Sequence, residues 1–505
     1  MGSMKRKLVF SALVVLIVLA VSFGLVRLFE PVHITVRMQE KSPLSALVSI
    51  QTKNLTQVSI RVAGKHNNDI EVRFPNFARD HEIPILGLYP DFNNTVELVF
   101  TTDEGVTFSR QLRIKTKPLP PMYPRFSVER LEPDQISPGM IFLQLGHYDE
   151  AGSFTSLPTA IDDYGQVRWY YIGEIGHVMK RLPNGNLLIQ GSRQGSTQDN
   201  LLLDIDMLGR TVAIRAEVQT GIHHDVSIMP NGNLLVLSTA PNSFEDGVVE
   251  VDAKSGEVVQ WWDFRTILDP SRPPQPRNLE KRDWLHLNGI DYDPLGDTFV
   301  VSGRDQSAVA KIDRKSGKLV WILGNHEFWP ESLEPYLLKP VGETFEWQWG
   351  QHAPMVHPEI SGRLLVYDNG NERSYDSPVT VGDNYSRAVE FQIDERSMQV
   401  RQVWQFGKEN GSETFTPFIG DANYLPNGNR LVCFGGITRS LDGQPMEIFD
   451  FAAGKINRMK ISAQIVEVTA DSPAREVLRI SIADSNSSSY RGYRSYQAEK
   501  YPLYY

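Results

Sequence analysis

The tetrapeptide Pro183-Asn184-Gly185-Asn186 recurs as Pro230-Asn231-Gly232-Asn233 and as Pro426-Asn427-Gly428-Asn429, and Pro294-Leu295-Gly296-Asp297 is a close variant. Each copy stands between two short apolar runs, and a looser copy covers residues 358–362. Pro, Asn and Gly in this order are typical of a tight turn, so each unit is predicted to contain a β-hairpin. A unit made only of strands that repeats along the chain indicates a β-propeller.

The second half of each unit starts at an aspartate and ends on a strand that often carries tryptophan. Examples are Asp162–Trp169, Asp252–Trp261, Asp313–Trp321 and, more weakly, Asp394–Trp404. At roughly 60 residues per unit, slightly above the usual repeat length, residues 121–505 accommodate about six units. The sequence therefore predicts an all-β protein in which residues 121–505 form a six-bladed β-propeller.

Two smaller regions precede the repeats. Residues 31–120 contain short alternating runs such as His33–Val36 and Val96–Val99, with Pro, Asn, Asp and Gly between them, which predicts a small β-sandwich. Within residues 1–30, Lys5, Arg6 and Lys7 precede 19 uncharged residues, Leu8–Val26. We expect a retained transmembrane anchor, with a cleaved signal as the alternative, and the catalytic domain on the periplasmic side in either case.

Composition excludes several function classes. The chain of 505 residues has 51 Lys and Arg against 61 Asp and Glu, a net charge of −10. Because no basic run lies outside the N-terminus, a nucleic-acid partner is not expected. The single cysteine, Cys433, excludes an internal disulfide framework and any Cys-based zinc module.

Histidines recur at one position of the repeat. His177, His224, Asn288 and His352 each lie six residues before a turn proline, and His286 lies two residues before Asn288. Residues two apart in a strand share a face, and equivalent positions of propeller blades converge on the central axis. Several imidazoles should therefore meet at one end of the channel. His223 and His224 are adjacent, so only one of them should face it, and the repeat register favours His224.

The predicted return strands add two more groups to this end. His286 should face a residue near 305, where Arg304 lies, and His352 should face a residue near 369, within Asp368-Asn369-Gly370. A guanidinium beside several imidazoles indicates an anion-binding, nucleophilic site rather than the carboxylate pair of a glycosidase.

Longer stretches resemble the bacterial arylsulfate sulfotransferase family, whose members transfer sulfate between phenols without a nucleotide donor. The matching stretches are Gly221–Asp225, Asp283–Asn288, Ser302–Gln306, Trp349–Ala353, Tyr367–Gly370, Tyr385–Glu390 and Leu86–Val96. The resemblance implies a sandwich followed by a six-bladed propeller, a site in the central channel, no metal or other cofactor, and a homodimer. The family's cysteine pair near the site is missing here, since Cys433 stands alone.

The resemblance also implies roles for individual residues. His352 matches the family's nucleophile and would carry the sulfohistidine in a ping-pong reaction with a phenolic sulfate donor and a phenolic acceptor. Arg304 offers a planar fork to the sulfuryl oxygens, while His286 and His224 would hold the remaining oxygens and supply a proton. Asn288, His223 and Tyr493 are the further candidates for substrate binding.

Three other functions fit parts of the pattern. A quinoprotein-like oxidoreductase shares stretches such as Gly317–Trp321, but such enzymes need a carboxylate calcium site and often adjacent cysteines, neither of which is found in the sequence. His224, His286 and His352 could instead bind zinc. A membrane-tethered propeller that only binds a partner is the non-enzymatic alternative.

Overall fold

The computed structural model describes residues 31–192, 200–240, 243–275, 283–447, 459–483 and 492–505. The segment predicted as an anchor or signal, residues 1–30, lies outside this part of the chain. Among the residues that are described, no helix is long and apolar enough to cross a membrane. The contacts divide the chain into two compact units, with the boundary between Leu119 and Pro120.

Both units are built from β-strands, which confirms the all-β prediction. Helical structure in the described residues is confined to short turns. These are the α-helical turn Phe264–Ile267 and the 3-10 turns Arg304–Gln306, Glu331–Tyr336, Val381–Asp383 and Lys408–Thr414.

The first unit is a single five-stranded antiparallel sheet. Its strands are Val32–Met38 (β1), Ala46–Val62 (β2), Ile70–Ile85 (β3), Asn93–Thr102 (β4) and Thr107–Lys115 (β5). The order is β1-β2-β4-β5, and β3 also pairs with β2. The long β2 pairs with β3 along most of its length, with β1 along its first half and with β4 along its second half. The sandwich stays a prediction.

Three four-stranded antiparallel sheets in the second unit are consecutive meanders. The first contains Met179–Arg181 (β10), Leu187–Gly191 (β11), Leu201–Ile205 (β12) and Thr211–Glu217 (β13). The second contains Val226–Ile228 (β14), Leu234–Ser238 (β15), Gly247–Val251 (β16) and Val258–Asp263 (β17). The third contains Leu287–Asp293 (β18), Thr298–Gly303 (β19), Ala308–Asp313 (β20) and Leu319–Gly324 (β21).

Two larger sheets complete the unit. One contains Lys339–Pro340 (β22), His352–Val356 (β23), Arg363–Asp368 (β24), Arg387–Asp394 (β25) and Gln399–Phe406 (β26). The other has nine strands: Arg125–Leu131 (β6), Met140–Tyr148 (β7), Phe154–Ile161 (β8), Val167–Tyr170 (β9), Asp421–Tyr424 (β27), Arg430–Arg439 (β28), Lys460–Val468 (β29), Glu476–Ala483 (β30) and Gly492–Tyr501 (β31). Within it, β29 and β31 are joined by the pair Ile461 and Gly492.

The Pro-Asn-Gly-Asn motif forms the turn between the first two strands of three sheets. In each copy the first Asn side chain accepts a hydrogen bond from the backbone N–H two residues later, at 3.1 Å for Asn184, 3.0 Å for Asn231 and 3.1 Å for Asn427. The glycines that follow have φ of 83°, 88° and 87°. Glycine adopts this left-handed conformation without steric cost, which is why the motif repeats.

Successive sheets pack against each other through alternating residues. Leu235 and Leu237 belong to a core shared with the next sheet along the chain, whereas Val236 belongs to a core shared with the preceding one. Val300 and Val301 divide in the same way. Because neighbouring residues of a strand point to opposite faces, each sheet is apolar on both sides.

Six strands of the second unit surround a cavity of about 190 Å³. Its lining is drawn from β10, β14, β18, β23, β27 and β31. Lys180 on β10 lies 3.2 Å from Asp225 and 3.0 Å from Glu499 on β31. These contacts bring the beginning and the end of the second unit together around one axis.

Candidate active site

His224 and His286 lie directly before the strands β14 and β18, in left-handed backbone conformations with φ of 53° and 51°. A non-glycine residue in this region costs about 1–3 kcal/mol, and such residues cluster at functional sites. The sequence argument treated both as strand residues. The strand alternation it relied on does not hold here, because each strand begins only after the left-handed residue.

His223 and His224 lie against each other. Their Nδ1 atoms lie 3.0 Å apart, so one ring donates a hydrogen bond to the other. Both side chains are buried. Burial lowers the pKa of each, so both imidazoles are neutral near pH 7.

His286 is held by two carboxylates. Its Nδ1 lies 2.6 Å from Asp283 Oδ2 and 2.8 Å from Glu245 Oε2. Burial and the charge of Arg304 oppose protonation of His286, but Glu245 and Asp283 outweigh them and raise the pKa to about 9. The imidazolium directs its Nδ1–H at Asp283, which leaves Nε2–H as a donor for a ligand.

Glu245 was not identified from the sequence, because it lies outside the repeat position that singled out the histidines. It too has a left-handed backbone, with φ of 51°, and its Oε2 is 3.8 Å from His224 Nδ1. Although burial opposes ionisation, His224 and His286 lower the pKa of Glu245 below its ordinary value. Glu245 therefore places a fixed negative charge between two of the predicted site histidines.

Arg304 follows β19 and faces His286 across the hairpin, as predicted. Its backbone N–H donates to the His286 carbonyl at 3.1 Å. The guanidinium Nε donates to Asp305 Oδ1 at 2.6 Å, and Nη2 lies 3.9 Å from Asp283 Oδ2. Burial opposes the charge, but Asp305 outweighs it and raises the pKa of Arg304. Asp305 thus fixes one edge of the guanidinium group, and the N–H groups of the other edge can donate hydrogen bonds to an anion.

His352 is neutral and its tautomer is fixed. Its Nδ1 lies 2.7 Å from Asn369 Oδ1. The Asn369 amide nitrogen donates to the carbonyls of Thr416 and Ile419 at 2.8 and 2.7 Å, so its oxygen must face the imidazole. His352 Nδ1 therefore carries the hydrogen, and Nε2 carries the lone pair. Burial lowers the pKa of His352 to about 3, and the charges of Arg304 and His286 add to this effect.

Asn288 is buried on β18 and is tied to the His352 strand. Its Nδ2 donates to the Gln351 carbonyl at 2.8 Å, and its own carbonyl lies 3.3 Å from the Tyr496 hydroxyl. Asn288 Oδ1 is buried with no hydrogen-bond partner in the described part of the chain. The side-chain oxygen is thus available as an acceptor.

Aromatic rings continue the cluster away from His286. The ring centroid of His177 lies 5.0 Å from those of both His224 and Tyr496. Tyr493, the tyrosine predicted to line the site, instead lies against the His147 ring and donates to the Met122 carbonyl at 2.7 Å. Tyr496 lies against the His177 ring, and a register shift between Ser495 and Ala498 interrupts the alternation of this strand.

A cavity of about 620 Å³ opens beside this aromatic stack. His177, His223 and Tyr496 line it on the side of the cluster. Leu145, Phe154, Ile175 and Ile222 supply apolar surface, and Glu174 and Arg494 are its charged lining residues. Its other polar lining residues are Gln144, Ser156, Gln190, Asn200, Gln219 and Thr220. A pocket of this size that combines apolar and polar groups is typical of a small-molecule site.

Two overlapping groups of described residues have the spacing of cation ligands. They are His223, His224 and Glu245, and Glu245, Asp283 and His286, with ligand atoms within 4.8 Å of one another. The zinc set considered from the sequence, which included His352, is not among them. A protonated His286 offers no lone pair to a cation, whereas the edge of Arg304 that does not bond Asp305 can donate to an anion.

Comparison with known proteins gives the family. A model described as Arylsulfotransferase (ASST) matches residues 127–494, and one described as Arylsulfotransferase Ig-like domain matches residues 34–117. The chain belongs to the arylsulfotransferase family. The resemblance inferred from the sequence motifs is thus confirmed, and with it the prediction that the chain is an aryl sulfotransferase enzyme.

Two relatives are named Arylsulfate sulfotransferase AssT, from Escherichia coli O6:H1 (strain CFT073) and from Lelliottia amnigena. Each is 25% identical to this chain, and the match covers 85% of this chain and 88% of the relative. Among solved structures, TolB from Acinetobacter baumannii superposes over 81% of this chain and 82% of its own with a TM-score of 0.38 and 10% identity. That superposition is too loose to support any argument.

Proposed function

We propose that this arylsulfotransferase family member moves a sulfuryl group from a phenolic sulfate ester to another phenol through a sulfohistidine on His352. The observation that carries the proposal is the tautomer of His352. Asn369 accepts the Nδ1 hydrogen, and the Nε2 lone pair of a neutral imidazole is available at pH 7. Arg304 and the charged His286 influence this ring electrostatically, which supports their role at the transferred group.

In the first half-reaction, His352 Nε2 attacks the sulfur, an N–S bond forms and the S–O bond to the aryl group breaks. The charge of the transition state spreads over the sulfuryl oxygens, as in phosphoryl transfer. Arg304 is the donor proposed for those oxygens, because the proton of His286 is needed at the leaving oxygen. Asn369 Oδ1 stabilises the positive charge that the substituted imidazole acquires, because it already accepts the Nδ1 hydrogen.

The departing phenolate needs a proton, and the incoming phenol must lose one. His286 holds a proton near pH 7 and can donate it to the leaving oxygen. In the second half-reaction the neutral His286, beside Glu245 and Asp283, takes a proton back from the acceptor. The acceptor oxygen then attacks the sulfur, the N–S bond breaks and His352 is restored.

We also propose the number of propeller blades, the location of the protein and its oligomeric state. Six strands, β10, β14, β18, β23, β27 and β31, line one cavity, and a single residue pair joins β29 to β31 in the nine-stranded sheet. We therefore propose a six-bladed propeller in which β31 joins β7, β8 and β9. A membrane anchor within residues 1–30, a periplasmic catalytic domain and a homodimer are proposed on the sequence and the family resemblance.

Incubation with p-nitrophenyl sulfate tests the activity. We expect nitrophenolate release that accelerates when phenol is added, without a sulfated nucleotide, and that persists after treatment with a chelator. Release that depends on the nucleotide would contradict the proposal, as would no release between pH 6 and 9 from folded protein.

A further inference from the structure

The 620 Å³ cavity contains a guanidinium that the proposed chemistry does not use. Arg494 lies on β31, opposite Gly146 of β7, and lines the cavity together with Phe154 and Tyr496. Its guanidinium carbon lies 4.5 Å from the ring centroid of Phe154 and 5.4 Å from that of Tyr148. Stacking on two aromatic rings fixes the plane of the guanidinium without neutralising its charge.

Arg494 has no carboxylate within ion-pair distance among the residues that the structure describes. Most partly buried arginines of the second unit do have one, as Arg304 has Asp305 and Arg387 has Asp368. The other charged lining residue, Glu174, is exposed to solvent. Since solvent screens an exposed charge more strongly than a partly buried one, the inner part of the cavity carries a net positive charge.

The cavity also has the shape of a site for an aromatic ring. Leu145, Phe154, Ile175 and Ile222 supply the apolar part of its lining, and the rings of His177 and Tyr496 line the side nearest to His224. Burial lowers the pKa of His177 to about 4, and the charge of Arg494, which lines the same cavity, adds to this effect. A phenol whose hydroxyl points to the histidines would direct its opposite end toward Arg494.

We infer that Arg494 selects phenols that carry a second, anionic group, with carboxylate-bearing phenols as the preferred class of acceptor. The inference rests on the proposed sulfuryl transfer and adds the substrate class. The guanidinium would bind the carboxylate in a charge-assisted hydrogen bond, in a pocket where the apolar walls hold the ring.

Three acceptors of matched size test this inference: 4-hydroxyphenylacetate, its neutral amide and tyramine. In the native enzyme we expect kcat/KM to be highest for the anion and lowest for the cation. Arg494→Gln should reduce the ratio of kcat/KM for the anion to that for the amide by roughly tenfold or more, which corresponds to one charge-assisted hydrogen bond. Arg494→Lys should restore part of the ratio, because it keeps the charge and loses the fork.

Arg210→Gln is the matched control, since Arg210 is half-exposed and paired with Asp206 on a turn away from the cavity. Its ratio should equal that of the native enzyme. A native enzyme without preference for the anion would overturn the inference. So would an Arg494→Gln enzyme that loses activity equally with the anion and the amide, because that would assign Arg494 a structural role.

Binding without turnover separates this inference from the proposed function. Calorimetry with 4-hydroxyphenylacetate and its amide, in the absence of a sulfate donor, should show tighter binding of the anion that Arg494→Gln removes. If no acceptor is sulfated but this difference persists, the proposed reaction fails and the pocket assignment stands. If the acceptors are sulfated but bind equally, the pocket assignment fails and the reaction stands.

Discussion

At the scale of single residues, the site depends on charges that only the folded chain brings together. The sequence identified His224, His286, Arg304 and His352, because they fall on a repeat position or on its return strand. It did not identify Glu245 or Asp283, whose carboxylates hold the proton of His286. Neither lies on the repeat register, and a carboxylate beside a loop has no pattern that distinguishes it from a solvated one.

Glu245→Gln should shift the alkaline side of the pH–activity profile. The raised pKa of His286, about 9, means that its charged form is present below that pH and is lost as the pH rises through it. Without the Glu245 charge this pKa falls, so activity should decline at a lower pH than in the native enzyme. The pH dependence of kcat measures this, and Glu257→Gln on an exposed turn is the control. An unchanged alkaline limb would show that Glu245 does not act on His286.

Arg304→Lys should reduce kcat/KM by a factor of about 10²–10³, comparable with the loss of one oxyanion donor. Lysine keeps the charge but cannot bond Asp305 and an anion with the same planar group. The melting temperature should change much less than the rate, since the substitution keeps a cation beside Asp305. If kcat/KM stayed within threefold of the native value, Arg304 would not stabilise the transition state.

The nucleophile should stay active in acid. Because the pKa of His352 is lowered to about 3, its Nε2 lone pair remains available well below the ordinary histidine range. The rate of formation of the covalent adduct from a sulfate donor should therefore show no fall between pH 7 and pH 5. A fall centred near pH 6.5 in rapid-quench measurements would contradict the assignment of a neutral, buried nucleophile.

At the scale of elements, the turns could be predicted from the sequence. The backbone conformation of the residues before β14 and β18 could not. The Pro-Asn-Gly-Asn turns form where the sequence places them, because their chemistry is local. His224 and His286 have left-handed backbone conformations that no local sequence pattern predicts. Strand alternation therefore does not describe the chain at His224 and His286, which lie before β14 and β18.

Gly428→Ala should lower the free energy of unfolding by about 1 kcal/mol. Gly428 has φ of 87°, and a Cβ there meets no atom within 4 Å, so the cost comes from the backbone alone. Gly382→Ala is the matched control, since its surroundings are equally open and its φ lies outside the left-handed region. Urea denaturation compares the two. If Gly428→Ala and Gly382→Ala had the same free energy of unfolding, the repeated glycine would not be required for the left-handed turn conformation.

At the scale of the whole molecule, the all-β architecture could be predicted because the repeat is explicit, whereas the strand pairing within the first unit could not. Its long strand β2 pairs with different partners along its two halves, which short alternating runs do not reveal. In the second unit the last strand, β31, lines the 190 Å³ cavity together with five earlier strands. Lys500 on β31 bonds Glu467 on β29 at 3.1 Å and Asp163 at 2.7 Å.

Lys500→Met should destabilise the second unit by about 3–5 kcal/mol, because it leaves the buried Glu467 without its cation. Both side chains of the pair are fully buried. Lys315→Met, at an exposed lysine paired with Asp297, should change stability by less than about 0.5 kcal/mol. Denaturant titration of each variant checks the difference. A small effect at Lys500 would show that this pair does not hold the closing strand.

The central claim, a covalent sulfuryl group on His352, is tested most directly by mass spectrometry of protein incubated with a sulfate donor and no acceptor. We predict an adduct of about 80 mass units, one SO₃ group, that is labile in acid, disappears when phenol is added and maps to the peptide with His352. His352→Asn should remove it. An adduct on His286 or His224, or full turnover with no adduct on any residue, would contradict the account.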